Sequence, residues 1–126
     1  CGGRAADPIY GLRLGASPSQ ARGRFDPGSP GAFRSEAMEE DFALVWAPDG
    51  ESPMRSARLE FHLGQLVALR VRAARGAPHT EGPAIVTTDT SVLTREATQR
   101  EVELTWLARA CPTHAAEVMR RIAAHR

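Results

Sequence analysis

Two cysteines offer the most reactive chemistry in this sequence. Cys111-Pro112-Thr113-His114 sets a thiol and an imidazole three positions apart at the expected start of a helix. A helix amino terminus lowers a thiol's pKa, and an imidazole one turn away is placed to act as its base. The same spacing offers two zinc ligands, but His62, His79 and His125 are scattered and supply no second pair. The plainer reading is a buried cysteine beside a capping threonine. Cys1 heads the sequence as Cys1-Gly2-Gly3-Arg4. A cysteine followed by small residues is what remains when a bacterial lipoprotein signal is removed, and its thiol then carries the lipid. Three readings stay open. Lipid on Cys1 leaves Cys111 a lone thiol. The start at Cys1 is alternatively a product of trimming. In an oxidising compartment, a Cys1–Cys111 disulfide would close nearly the whole chain as a loop. The lipidated form is the working expectation.

Other reactive groupings are sparse. Glu39-Glu40-Asp41 is the densest acidic run; paired carboxylates do acid–base work, but a local run ordinarily marks a solvated strand end. No Gly-x-Ser-x-Gly elbow is present, and Gly11-x-x-x-Gly15 lacks the further glycines and the lysine of a phosphate loop. No catalytic constellation, metal site or cofactor site is therefore expected. The remaining candidates form a surface. Arg58, Glu60, His62, Arg70 and Arg72 alternate with apolar residues and should share the wet face of a hairpin, which Arg95, Glu101, Glu103 and Arg109 extend. Such a mixed face suits a protein partner or an anionic headgroup.

The elements that position these residues follow from periodicity. Ser17, Pro18 and Gln20 fit the N-cap, N1 and N3 positions of a short helix, predicted from Pro18 to about Phe25. Gly23 weakens it, and Asp26-Pro27-Gly28-Ser29-Pro30-Gly31 ends it. Strands are predicted at 32–38 and 42–47. Leu59, Phe61 and Leu63, then Val67, Leu69 and Val71, alternate with polar or small residues about a Gly64-Gln65 turn, giving a hairpin. A Gly/Pro-rich loop over 74–83 precedes a short strand at 85–88 and a second hairpin of 92–96 with 101–109. Ala115, Val118, Met119, Ile122 and Ala123 form the apolar stripe of a closing helix that opens at Pro112 or Thr113. Trp46 and Trp106 are expected in the core. The fold class is α+β: a mostly antiparallel sheet of about five or six strands, with the short N-terminal helix and the C-terminal helix packed on one face. Residues 1–10 read as a tether and 11–126 as a single domain.

Composition narrows the class. The chain has 126 residues, 42% hydrophobic and 25% charged, with a net charge of +1, as for an ordinary globular domain. Its sixteen basic residues are all arginine, a mark of a GC-rich genome. The balanced charge and few aromatics argue against nucleic acid as a partner. No apolar run is long enough to span a bilayer as a helix.

Gly11-Leu12-Arg13-Leu14-Gly15-Ala16-Ser17-Pro18-Ser19-Gln20-Ala21 resembles the G-x-x-x-G-M-S/T-x-x-x-V entry motif of the SmpA/OmlA (BamE-like) family of small outer-membrane lipoproteins. Phe42-Ala43-Leu44-Val45-Trp46 and Leu59-Glu60-Phe61-His62-Leu63-Gly64-Gln65-Leu66 take the places of that family's aromatic and L-x-F-x-x-G-x-L patterns. The resemblance covers residues 1–73. Ala16 stands where the family has methionine, Phe25-Asp26-Pro27-Gly28 replaces its L-G-x-P, and 84–126 has no counterpart in the minimal family. The resemblance implies a lipid on Cys1, a helix packed on a strand meander, and a non-enzymatic protein-binding or scaffold role at the periplasmic face of the outer membrane, with an envelope protein as partner. The alternative expectation is a small thiol or metal enzyme, or a ligand-binding domain, centred on Cys111 and His114.

Overall fold

The computed structural model describes residues 8–39, 41–109 and 111–125. Helix α1 (Pro18–Arg24) is followed by β1 (Gly31–Ala37), β2 (Phe42–Pro48), β3 (Met54–His62), β4 (Gln65–Ala74), β5 (Ile85–Thr87), β6 (Ser91–Ala97) and β7 (Glu101–Ala108). A 3-10 turn (Pro112–His114) then leads into α2 (Ala115–Ala124). The seven strands form one antiparallel sheet in the order β1-β2-β3-β4-β7-β6-β5. Two meanders, β1 to β4 and β5 to β7, are joined where β7 pairs with β4, so the strands after residue 84 extend the same sheet. The class is α+β as expected, with seven strands rather than five or six.

The capping box forms as the sequence requires. Gln20 N–H donates to Ser17 Oγ at 3.2 Å, and Ser17 N–H donates to Gln20 Oε1 at 3.1 Å. The preceding turn is built around Gly11, whose φ of +77° favours glycine. A Cβ there would lie 2.0 Å from the Arg24 carbonyl oxygen. That close approach lets Asp26 N–H bond to the Tyr10 carbonyl. Gly15 N–H bonds Leu66 O, and Leu66 N–H bonds Ala16 O, at 2.8 Å each. The Gly-x-x-x-Gly segment thus ties both ends of its turn, one to the end of α1 and one to the start of β4.

The two helices lie on opposite faces, not on one. Leu44, Trp46, Leu59, Phe61, Leu69, Val71, Leu104 and Trp106 face Tyr10, Leu12, Ala21 and the partly buried Phe25, making the main core beneath α1. Ala68, Val92 and Leu107 point the other way and meet Val118 and Ile122 of α2. The strand alternation allows this because β4 through β6 carry apolar residues on both sides. Within α2 the expected stripe is narrower: Val118 is buried and Ile122 half-buried, while Met119 is 70% exposed and Ala115 and Ala123 are exposed. The sheet-facing side of α2 pairs Val118 and Ile122 with the charged Glu117 and Arg121, which rotates Met119 outward.

The central hairpin turns on Leu63-Gly64, with φ of 51° and 75°, not on Gly64-Gln65. Positive φ at both positions marks a type I′ connection, and Leu63, expected on the apolar face, is instead 85% exposed at the tip. A register shift between Glu60 and Phe61 leaves Val67 outside the alternation; it packs with Ala108 and Cys111.

Glycine substitutions separate these constraints by sign. Gly11→Ala is expected to destabilise by several kcal/mol, since strain at positive φ adds to the steric clash. Gly23→Ala, with nothing within 4 Å of its added Cβ, should stabilise α1 by up to about 1 kcal/mol. Urea unfolding of both variants measures the contrast.

Candidate functional site

The predicted wet face is a connected set of charges, but its centre, Glu60, is buried rather than wet. Its cross-strand neighbours are Ala43 on β2 and Ala68 on β4. Those small side chains leave room for a carboxylate to lie against the sheet, and Glu60 is only 6% exposed. A buried carboxylate needs donors, and four bonds supply them. Arg58 Nε and Arg70 Nε donate to Oε2 at 3.1 and 2.9 Å; Arg70 Nη2 reaches Oε1 at 3.4 Å; His114 Nε2 lies 3.1 Å from Oε1. The carboxylate only accepts, so Nε2 of His114 carries the proton.

From Glu60 the set runs outward both ways. Arg70 Nη1 and Nη2 grip both oxygens of Glu117 on α2 at 2.7 Å, a bidentate fork. Glu117 also accepts from Arg121 Nε at 3.0 Å, and Arg121 Nη1 reaches Thr94 Oγ1 at 2.9 Å and Glu96 Oε1 at 3.2 Å. Toward the other edge, Arg58 Nη1 binds Glu36 at 2.8 Å, and Arg34 meets the same carboxylate at 3.3 Å. α2 is therefore attached to the sheet by an arginine–glutamate ladder beside its small apolar contact.

The titration of these groups follows from the contacts. Burial alone would raise Glu60, but the hydrogen bonds from His114 and Arg70 outweigh it and bring its pKa down to about 2. Arg70 likewise holds Glu117 down to about 2, against a smaller effect of burial. The Glu117 carboxylate in turn raises Arg70, against burial and with help from Glu60. On the α1 face, burial pushes the Tyr10 hydroxyl up to about 12, and that hydroxyl donates to the Pro78 carbonyl.

The residues singled out in the sequence fall as follows. Arg58, Glu60 and Arg70 are joined directly. Arg72 is on the same face but separate, with Nη2 3.0 Å from Glu101. His62 Nδ1 is 2.9 Å from Asp41 Oδ2, which gives one member of the acidic run a partner; Glu40 lies outside the described residues. Arg95 does not extend the surface, because it points to the α1 face and donates to the carbonyls of His79 and Pro83. Arg109 donates to Thr88 O. Cys1 and its expected lipid lie outside the described residues.

Cys111 is fully buried and disulfide-bonded, so a thiol mechanism there would first require reduction. Thr113 Oγ1 lies 3.0 Å from Cys111 Sγ and 2.8 Å from His114 Nδ1. The cysteine segment, the histidine and Glu60 are thus consecutive links, and the 3-10 turn is fixed to the sheet through them. A cleft of about 380 Å³ beside this point is lined by Met38, Glu39, Asp41, Glu60, Arg70, Thr113, His114 and Glu117. A larger one, about 670 Å³, lies elsewhere, beside Arg55, Arg75 and Pro78, and shares none of those residues. Among the described residues no group of three or more His, Cys, Asp or Glu side chains could hold a metal ion, and no helix is long and apolar enough to cross a membrane.

Sequence reasoning missed Glu36, Glu117 and Arg121 as members of the set. Glu117 and Arg121 were discoverable as an i,i+4 pair. The Glu60–His114 contact joins positions 54 apart, and no local signal announces it. Comparison of the chain with protein-family models, with curated proteins and with solved structures returns no match.

The depressed carboxylates fix a direction of pH dependence. Their contribution to stability is present above the unfolded carboxylate pKa, about 4.3, and is lost as pH falls toward their folded value of about 2. Unfolding free energy should therefore drop through that acid window. Arg70→Met should cost about 3 kcal/mol at neutral pH and flatten the acid dependence. Urea titrations of both proteins across the window give the comparison.

Proposed function

We propose that this chain is a non-enzymatic, protein-binding domain of the bacterial cell envelope. The observation that carries the reading is the bonded state of Cys111. Disulfides form and persist in oxidising compartments such as the bacterial periplasm and are rare in the cytosol. The charged face supports a binding role over catalysis. Glu60, Arg70, Glu117 and Arg121 are engaged with one another, an arrangement that fixes α2 in place. α2 packs on Ala68, Val92 and Leu107 of β4, β6 and β7 respectively. The β1–β3 half of the same face, with Arg34, Glu36 and Arg58, remains for a partner. The resemblance to SmpA/OmlA lipoproteins points to the same compartment and to a scaffold role.

Attachment to the membrane is the open branch of this proposal. A lipid thioether on Cys1 would place the domain at the periplasmic face of the outer membrane, with several acyl chains giving stable anchorage. The sequence has two cysteines. A thioether on Cys1 and a bridge within this chain at Cys111 therefore exclude each other in one molecule. We take the bridged form as the expected one.

The test is intact mass, before and after reduction, of protein expressed from its full-length gene in a Gram-negative host and recovered by fractionation. Recovery from the envelope, with a mass that rises by two hydrogens on reduction, is the expected result. An acylated Cys1 would keep the envelope assignment and replace the bridge with an anchor. Reduced, unacylated protein confined to the cytoplasm would overturn the proposal.

A further inference from the structure

The two edges of the sheet are unlike. β5 has three residues, and such shortness is one of the ways natural proteins blunt an edge. β1 has seven, in unbroken register with β2 from Gly31–Pro48 to Ala37–Phe42, with no proline or bulge inside it. Among the described residues β1 has a strand neighbour on one side only. The flanking bonds fix which way its backbone points. Met38 N–H donates to Asp41 O, and Asp49 N–H donates to Pro30 O. The even-numbered positions therefore bond β2, and Gly31, Phe33, Ser35 and Ala37 present their N–H and C=O groups outward.

We propose that the β1 edge pairs with the β1 edge of a second copy of this chain, antiparallel about a two-fold axis through Ser35. This names one partner for the binding role above. The register follows from charge. With Ser35 opposite Ser35, the outward groups of Phe33 meet those of Ala37 in the other copy, and those of Ala37 meet Phe33. Arg34 then lies opposite Glu36 twice, on the same face of the joined sheet. Arg34 can exchange partners to make this contact: its side chain is 68% exposed, and its ion pair to Glu36 of its own chain is the longer of the two to that carboxylate. Sliding the pairing so that Arg34 is the centre keeps the backbone parity but sets two arginines against each other, which is unfavourable. Centring on Phe33 sets Arg34 opposite Ala32 and loses both ion pairs. The contact is isologous and closed, the commonest form of homodimer. One continuous sheet results, with the α1 helices on one side and the α2 helices on the other.

Three variants of the whole chain test this in sedimentation velocity and in oxidative cross-linking. Wild type is expected to show a concentration-dependent monomer–dimer equilibrium. Ser35→Pro removes an outward N–H, a position proline tolerates on an edge strand, and should raise the dimer dissociation constant about tenfold or more with an unchanged circular dichroism spectrum. Ser35→Cys should cross-link to itself across the axis, where paired Cα atoms about 5.5 Å apart fall within disulfide reach. Ala37→Cys, facing Phe33, should not. A monomer at all concentrations, or a dimer indifferent to Ser35→Pro in which Ala37→Cys cross-links as readily as Ser35→Cys, would overturn the inference. Should Ser35→Pro fail to fold, the cross-linking pair decides. A monomeric result removes this partner only; the compartment reading stands or falls on its own mass measurement.

Discussion

A carboxylate held ionised in the middle of a sheet is the constraint from which this molecule follows. Glu60 sits between two alanines with almost no water contact. Removing a charge from water costs several kcal/mol unless donors surround it. Arg58 and Arg70 come from the same sheet, but the remaining donor, His114, comes from the far end of the chain. Arg70 has a second set of donors that needs a second carboxylate, and Glu117 of α2 supplies it. One buried charge therefore ties the 3-10 turn and α2 to the sheet.

The two faces of the sheet divide the work. Beneath α1 the core holds both tryptophans, each buried to within a few per cent, together with Phe61 and a layer of leucines; burial there supplies most of the apolar stabilisation. Beneath α2 the apolar contact is Val118 and Ile122 on Ala68, Val92 and Leu107, too small and too uniform to select one orientation. Bidentate pairing to Arg70 does select one, because a planar fork accepts a carboxylate in few geometries. The buried ion pairs are better understood as fixing orientation than as adding net stability. The same engagement leaves the α2-free half of the sheet and its β1 edge as the surfaces available to a partner.

Much of this was readable in the sequence, and the failures have physical reasons. The capping box at Ser17, the hairpin periods and the buried tryptophans are local patterns, and each element occurs where its pattern lies. The sequence does not separate the two helices onto opposite faces, because alternation reveals two faces without saying that both are apolar; only the pairing of β4 with β7 brings Ala68 and Leu107 together. Apolar spacing alone puts Met119 in the stripe, because it takes no account of the charged half of the buried face, Glu117 and Arg121. Alternation puts Arg58, Glu60 and Arg70 on one face, but the burial of Glu60 depends on His114 and, through Arg70, on Glu117, far away in sequence. The state of Cys111 is not legible in the sequence, since two cysteines do not reveal their oxidation.

If Glu60 is what holds the carboxyl-terminal segment, its charge should matter there first. The most direct measurement is amide hydrogen exchange in the wild type and in Glu60→Gln at neutral pH, resolved by segment. Selective loss of protection across the 3-10 turn and α2, with β2, β3 and the α1-face core still protected, is the predicted result. Unchanged protection in α2, or a uniform loss throughout the sheet, would contradict it.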